Sequence, residues 1–179
     1  MILRDVLRQV VIKANIEDKV GLDDARGTGT EWRRLMLASN NVIREIACSY
    51  LPLLHREVIT IENNRFDMRS LTRKPVKILS LYMDGSNIRF KMYPTYMYAQ
   101  NGTYEVEYSY LPEECALDDT IEVDMRVSEN MLSDAIASEY ALMTGNIALG
   151  DMYDKKFRAQ MKNITVSSRE IRVKGRAFV

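Results

Sequence analysis

The residues best suited to do chemistry are carboxylates concentrated between Glu105 and Asp134, where ten acids meet one base, Arg126, for a local net charge of −9. Glu105 and Glu107 share one face of an alternating segment, and Asp118, Asp119, Glu122 and Asp124 follow closely. Such oxygen donors could gather around a hard cation. A metal-dependent nuclease would also want a lysine after its acids, and only Arg126 is offered, so a solvated acidic turn is the better reading. The one histidine, His55, follows Leu53-Leu54 at an expected helix-to-strand junction and reads as structural. With one His and two Cys, Cys48 and Cys115, no zinc set of usual spacing can be assembled. A nucleophile pair of Cys48 and His55 would have to meet across Pro52. Gly27-Thr28-Gly29-Thr30 precedes a helix, as anion cradles do, but no Gly-Lys-Ser/Thr follows and no strand comes before it, so it reads as a hinge. The expectation is a chain that is not an enzyme, with no metal and cofactors none.

Opposite charge is concentrated elsewhere. From Arg65 to Lys91 seven bases face two acids, and from Asp151 to Val179 eight face three, a net of +5 in each stretch, although the whole chain balances 25 Lys and Arg against 25 Asp and Glu. Blocks of opposite sign in a neutral chain suit head-to-tail self-association, in which unlike patches of neighbouring copies meet. Arg65, Arg69, Arg73, Lys74 and Lys77 could also touch a nucleic-acid backbone through counterion release. Aromatic residues do not interleave with them as a single-strand platform requires.

The elements that must position these groups follow from periodicity. Leu3, Val6, Leu7, Val10 and Ala14 give a helical stripe over Ile2 to Asn15, and Thr28-x-x-Glu31 reads as a capping box opening a second helix that runs to Tyr50, stopped by Pro52. Cys48, among Ile46, Ala47 and Tyr50, is expected in the core as a small apolar residue. From Glu57 to Asp124 the period becomes two. Val58 to Ile61 is a strand, and Val76–Met83 with Ile88–Met92 forms a hairpin turning at Asp84-Gly85-Ser86-Asn87. Ile88, Phe90 and Met92 should face inward, Arg89 and Lys91 outward. A second hairpin is expected at Asn101-Gly102, joining Tyr96-Met97-Tyr98 to Thr103–Tyr110. In that last strand Tyr104, Val106, Tyr108 and Tyr110 lie on a buried face, and Glu105, Glu107 and Ser109 on a wet one. Ser128 opens a helix that Thr144-Gly145 closes, with Ala135, Ala137, Ser138 and Ala141 allowing close approach of a neighbour. The next helix, to about Asn163, aligns Leu149, Tyr153, Phe157 and Met161. Ile164 to Val179 cannot build a core and reads as an arm.

The fold expected is α+β, a helical bundle with an inserted antiparallel β-sandwich or small barrel and an extended C-terminal arm. Its divisions are 1–56 and 126–163 for the bundle, 57–125 for the β domain and 164–179 for the arm. At 179 residues and 46% hydrophobic content the chain can bury a substantial core. No run of eighteen apolar residues and no secretory leader is read, so synthesis in a reducing cytoplasm without a membrane span is expected.

The order of Tyr108-x-Tyr110-x-Pro112, Asp118-Asp119-x-Ile121-Glu122, Ser128-Glu129 and Glu139-Tyr140-Ala141-Leu142 to Gly145 resembles the head-to-tail adaptors of tailed bacteriophages, also called tail accessory factors, tubular tail protein A or neck ring proteins. The likeness covers most of the chain in architecture. It implies a homo-oligomeric ring, expected to be dodecameric, in the virion at the head-tail junction, seated beneath the portal protein. Such a ring would meet a downstream tail or nozzle protein and pass double-stranded DNA through its centre. It would be made in the host bacterial cytoplasm. The resemblance further implies that the C-terminal segment docks on the portal, here through Ile171, Arg172, Val173, Lys174, Arg176, Phe178 and Val179. Arg89, Lys91, Glu105, Glu107, Asp118 and Asp119 are the residues expected at subunit or tail interfaces. The alternative is a nucleic-acid-binding packaging accessory protein using the basic hairpins, and a third reading is a metal-dependent hydrolase on the acidic strand face.

Overall fold

The computed structural model describes residues 1–21 and 29–167. The chain is α+β, and it divides into two compact units, one formed by Leu3–Ala38 with the chain from Met125 on, the other by Ser39–Asp124. The second unit thus begins inside a helix, whereas the sequence period changes only near residue 57.

In the first unit α1 (Leu3–Ala14), the start of α2 (Thr30–Glu45), α3 (Glu129–Met143) and α4 (Ile147–Ser167) carry the fold. Helix α3 packs against both α1 and α4. Every residue from Met131 to Ser138 is buried, so α3 has no wet stripe, as a helix surrounded by others requires. The Ser128 hydroxyl accepts from the Met131 amide and caps its start. At its end Gly145 takes a φ of 82°, and the Asn146 and Gly145 amides donate to Ala141 and Leu142 carbonyls. Small residues on α3 let α4 come close: Ser138 Oγ donates to the Gly150 carbonyl at 2.9 Å, and a Cβ on Gly150 would meet Leu142 Cδ2 at 2.7 Å.

In the second unit, α2 continues as a π-helical turn, Ile46–Tyr50, before Pro52. A four-stranded antiparallel sheet follows in the order β1 (Leu53–Ile61), β7 (Gly102–Tyr110), β3 (Pro75–Met83) and β4 (Ser86–Asn87). A three-stranded sheet runs β2 (Arg65–Asp67), β6 (Tyr96–Tyr98), β5 (Lys91–Met92). The two share one core that includes Ile59, Ile61, Ile78, Leu81, Met97, Tyr104, Val106 and Tyr108, and neither closes into a barrel.

Six expectations change here. Strand β1 starts at Leu53 rather than near Val58, because all nine of its residues pair with β7, and His55 therefore lies within a strand. The Asp84-Gly85 turn is present, with φ of 49° and 75°, but its second arm pairs at Ser86–Asn87 and adds one bond from the Ile88 amide to the Leu81 carbonyl at 2.7 Å before the chain leaves for the other sheet. Met92 is consequently exposed, while Ile88 and Phe90 do pack on the core. Strands β6 and β7 form no hairpin: Ala99–Asn101 carries the chain between sheets, pinned where Asn101 Oδ1 accepts from the Asn64 amide at 2.6 Å. Ser109 is buried although Glu105 on the same face of β7 is exposed, and its hydroxyl donates to the Lys77 carbonyl. Cys48 is exposed and Cys115 buried, the reverse of a core role for the first.

Candidate assembly surfaces

Strand β7 is the axis of the second unit, and its alternation divides the unit's polar chemistry in two. On the core side Tyr108 donates to Glu57 Oε1 at 2.5 Å and accepts from the Arg73 amide at 3.2 Å. Burial, then the bond to Glu57, pushes the Tyr108 hydroxyl up to about 12. Burial also pushes Glu57 upward, but the Thr72 hydroxyl, Tyr108 and the Thr72 amide, all donating to it, outweigh that and hold its carboxyl below the usual value. His55, opposite Tyr108 in register, sets its ring edge-on to Tyr108 and Tyr110 at 5.7 and 6.2 Å. It is part of an aromatic cluster.

On the outer side Glu107 accepts from Arg56 at 2.9 Å, and the same guanidinium lies 5.6 Å from the Tyr82 ring. Glu105 stands opposite Val58 and Tyr82. Leu54 and Val58 flank Arg56 on this face at 55% and 71% exposure, so the sheet presents apolar side chains between charges to its surroundings.

The acidic segment after β7 is held to its own unit by several bonds. Asn40 clamps Cys115 from both sides, accepting from its amide at 2.8 Å and donating to its carbonyl at 3.4 Å. Burial pushes the Cys115 thiol up, which makes it a poor nucleophile. Asp119 accepts from the Ala116 amide, Arg44 pairs with Glu114 at 3.1 Å, and Arg73 pairs with Glu122 at 2.9 Å while lying over the Tyr110 ring. Among the described residues, no three His, Cys, Asp or Glu side chains are grouped to hold a metal ion.

The basic segment is less uniform than its count implies. Arg65 stacks on Tyr96 with 4.1 Å to the ring centre, and Tyr96 stacks in turn on Tyr93 at 4.5 Å. Aromatic and cationic side chains therefore do interleave, contrary to expectation, because β2 and β6 pair across thirty residues of sequence that local reading does not join. Arg69 is chelated by Asp67 through Nε and the terminal nitrogen, and these bonds draw the Asp67 carboxyl down to about 2. Arg73 is occupied as above. Lys74 and Lys77 are exposed and have no ion pair among the described residues.

The first unit holds a polar node that sequence reading missed. Lys13 Nζ donates to Asp134 Oδ1 at 2.5 Å, Ser133 Oγ at 2.7 Å and Asn130 Oδ1 at 3.0 Å. Gln160 Nε2 donates to the other Asp134 oxygen, and Ser133 Oγ donates to Gln9. Asp134 is buried, although by charge pattern it belonged to a solvated acidic run. The signal was its place amid Leu132, Ala135 and Ile136 in a helix without a polar stripe. Nearby Tyr140 donates to Glu31 Oε2 at 2.5 Å, so Glu31 serves a tertiary contact; its expected capping partner Thr28 lies outside the described residues.

Of the residues expected at interfaces, Arg89, Lys91, Glu105, Asp118 and Asp119 are exposed and Glu107 is half-buried beside Arg56. They all belong to the second unit but to different elements: Glu105 and Glu107 to β7, Lys91 to β5, Arg89 to the segment before it, and the two aspartates to the loop after β7. The docking residues Arg172, Val173, Lys174, Arg176, Phe178 and Val179 lie outside the described residues, and α4 reaches Ser167, beyond the expected start of the arm. No helix among the described residues is long and apolar enough to cross a membrane. No protein-family model matches the chain, and no curated protein matches it.

Proposed function

We propose that this chain is a structural ring protein of a tailed bacteriophage, joining the portal of the capsid to the tail and letting DNA pass through the centre. The observation that carries the reading is the exposure of both signs of charge on one unit. Lys74, Lys77, Arg89 and Lys91 stand on one stretch of chain, and Glu105, Glu113, Asp118 and Asp119 on another. A heterologous contact between unlike patches repeats head to tail and closes into a ring when its rotation allows. Apolar side chains exposed on each unit, Ile12 and Ile147 on one, Leu54 and Val58 on the other, give such a contact surface to bury. The order of helices, β unit and helices is the architecture on which the adaptor resemblance rests, and the proposal takes the portal as partner from that resemblance.

The basic C-terminal segment is the proposed portal anchor. A chain lacking residues 165–179 stays folded and soluble but fails to join portal-bearing heads; normal attachment by that truncation refutes the docking role. Electron microscopy of the full chain with portal particles is expected to give a ring on the portal. A salt-dependent DNA gel shift without portal-dependent assembly would instead favour the nucleic-acid-binding alternative.

A further inference from the structure

The second unit contains an open groove of about 630 Å³ between the start of β3 and the turn joining β5 to β6. Its apolar lining includes Met68, Leu71, Val76, Ile78, Met92 and Tyr93, and Arg69, Lys74 and Lys77 bring cations to it. Val76, Met92 and Tyr93 are 48%, 46% and 42% exposed, so much of the lining is uncovered. The groove is not built for strand addition. Pro75 offers no amide, and β3 shifts register against β7 between Pro75 and Lys77 and again between Ile78 and Ser80. Such bulges spoil an edge as a template. Recognition here must come from side chains filling the groove and from charge.

One side chain of this protein has the matching chemistry. Met125 is 96% exposed, and it directly follows the stretch 113–124, which carries six acids and no base. Glu113 and Glu114 keep 86% and 71% of their side-chain surface exposed despite their ion pairs, so their field reaches outward. A flexible thioether adapts well to an irregular apolar groove, especially one already lined by methionines. The C-terminal arm is a poor occupant by the same measure, since Arg169, Arg172, Lys174 and Arg176 against the single Glu170 would set like charges beside Lys74 and Lys77.

We propose that the groove of one copy receives Met125 of the next, with the acidic segment before it lying against Lys74 and Lys77. The contact joins two different surfaces, so it is heterologous and propagates from copy to copy. It rests on the ring reading above and names the contact that would build the ring.

The test uses full-length chains in which the exposed Cys48 is first removed as Cys48→Ser. One such chain also carries Met125→Cys and another Val76→Cys, and the two are mixed with a short bis-maleimide at concentrations where the parent self-associates in sedimentation. Linked pairs should be far more abundant in the mixture than in either chain alone. Met125→Asp should weaken self-association about tenfold or more, as loss of an interface anchor does. The pair Lys74→Glu and Lys77→Glu should weaken it in the same direction, and adding salt should weaken the parent. A parent that stays monomeric, or a mixture no better linked than its components, overturns the proposal. Closed rings without the link reject this contact and leave the ring reading standing; the link within open chains that never close supports the contact and rejects the ring.

Discussion

Removing the carboxylate of Asp134 tests whether the helical unit depends on the polar node at its centre. The Asp134 side chain is 4% exposed and that of Lys13 18%. Breaking a buried pair from one side costs about 3–5 kcal/mol because a charge stays behind without its partner. For Asp134→Ala we expect the lower end, about 3 kcal/mol, because Lys13 keeps Ser133 and Asn130 and is partly exposed to water. Lys13→Met should cost more, about 4–5 kcal/mol, since it strands a nearly fully buried carboxylate with Gln160 as its remaining side-chain donor of the pair. The double variant Lys13→Met with Asp134→Leu removes both charges and should recover to within about 1–2 kcal/mol of the parent. Urea unfolding followed by Trp32 fluorescence is the assay, because this single tryptophan lies in the same unit. In thermal melts the Asp134→Ala loss corresponds to a drop of about 6–12 °C for a chain of this size. A loss below about 1 kcal/mol for Asp134→Ala, or additive losses in the double variant, would refute the claim that the pair acts as one unit.

Tyr108 and Tyr140 are both pushed up to about 12 from the ordinary 10.0, by burial first and then by bonds to Glu57 and Glu31. The folded chain therefore holds these two protons more tightly than the unfolded one. Their contribution to stability is complete below pH 10 and is lost as pH rises through 12, and absorbance at 295 nm should show both phenols titrating late, with Tyr110 and Tyr153, which burial also pushes up, adding to the late phase. Glu57→Gln should bring the Tyr108 titration to lower pH in the same measurement. Since the Glu57 carboxyl is held below its ordinary 4.5, its contribution exists above that pH and is lost as pH falls, so the variant should show a shallower acid limb in stability. Gly145→Ala places a Cβ at a φ of 82° and should cost about 1 kcal/mol in urea unfolding with no change in self-association.

The helices were legible because each signal is local. Ser128 as a cap, Thr144-Gly145 as a stop and the alanines of α3 as a close-packing face all reside within a few residues of the feature they produce. The α+β class followed from the change of period. Strand partners were less legible, since hairpin logic pairs each strand with its neighbour in sequence. Here β7 pairs with β1 and β3, and β6 pairs with β2 and β5, so two interleaved sheets take alternate segments of one chain. Tyr104, Val106 and Tyr108 were placed on the buried face by alternation alone, which needs no knowledge of partners. Met92 was misplaced because its exposure depends on which strand lies alongside.

Charge was the hardest feature to read, for a physical reason. A count along the chain measures composition, while a field at a surface depends on which ions are already answered by neighbours. Of the cations in the basic stretch, Arg69 is neutralised by Asp67, Arg73 by Glu122 and Glu113, and Arg65 faces a ring, whereas Lys74 and Lys77 remain open beside an apolar groove. Within the acidic run Asp134 is buried against Lys13, and Glu107 is tied to Arg56, while Glu113 projects. Lys74 and Lys77 are thus better placed than Arg65, Arg69 and Arg73 to meet a partner, since a compact cation without a fixed counterion gives up less when a new anion arrives. That ordering is itself testable within the ring reading. Lys74→Glu with Lys77→Glu should disturb assembly and its salt dependence more than Arg69→Ala, whose removal mainly frees Asp67. An assembly more sensitive to Arg69 than to the two lysines would show that raw charge, not unanswered charge, governs the contact.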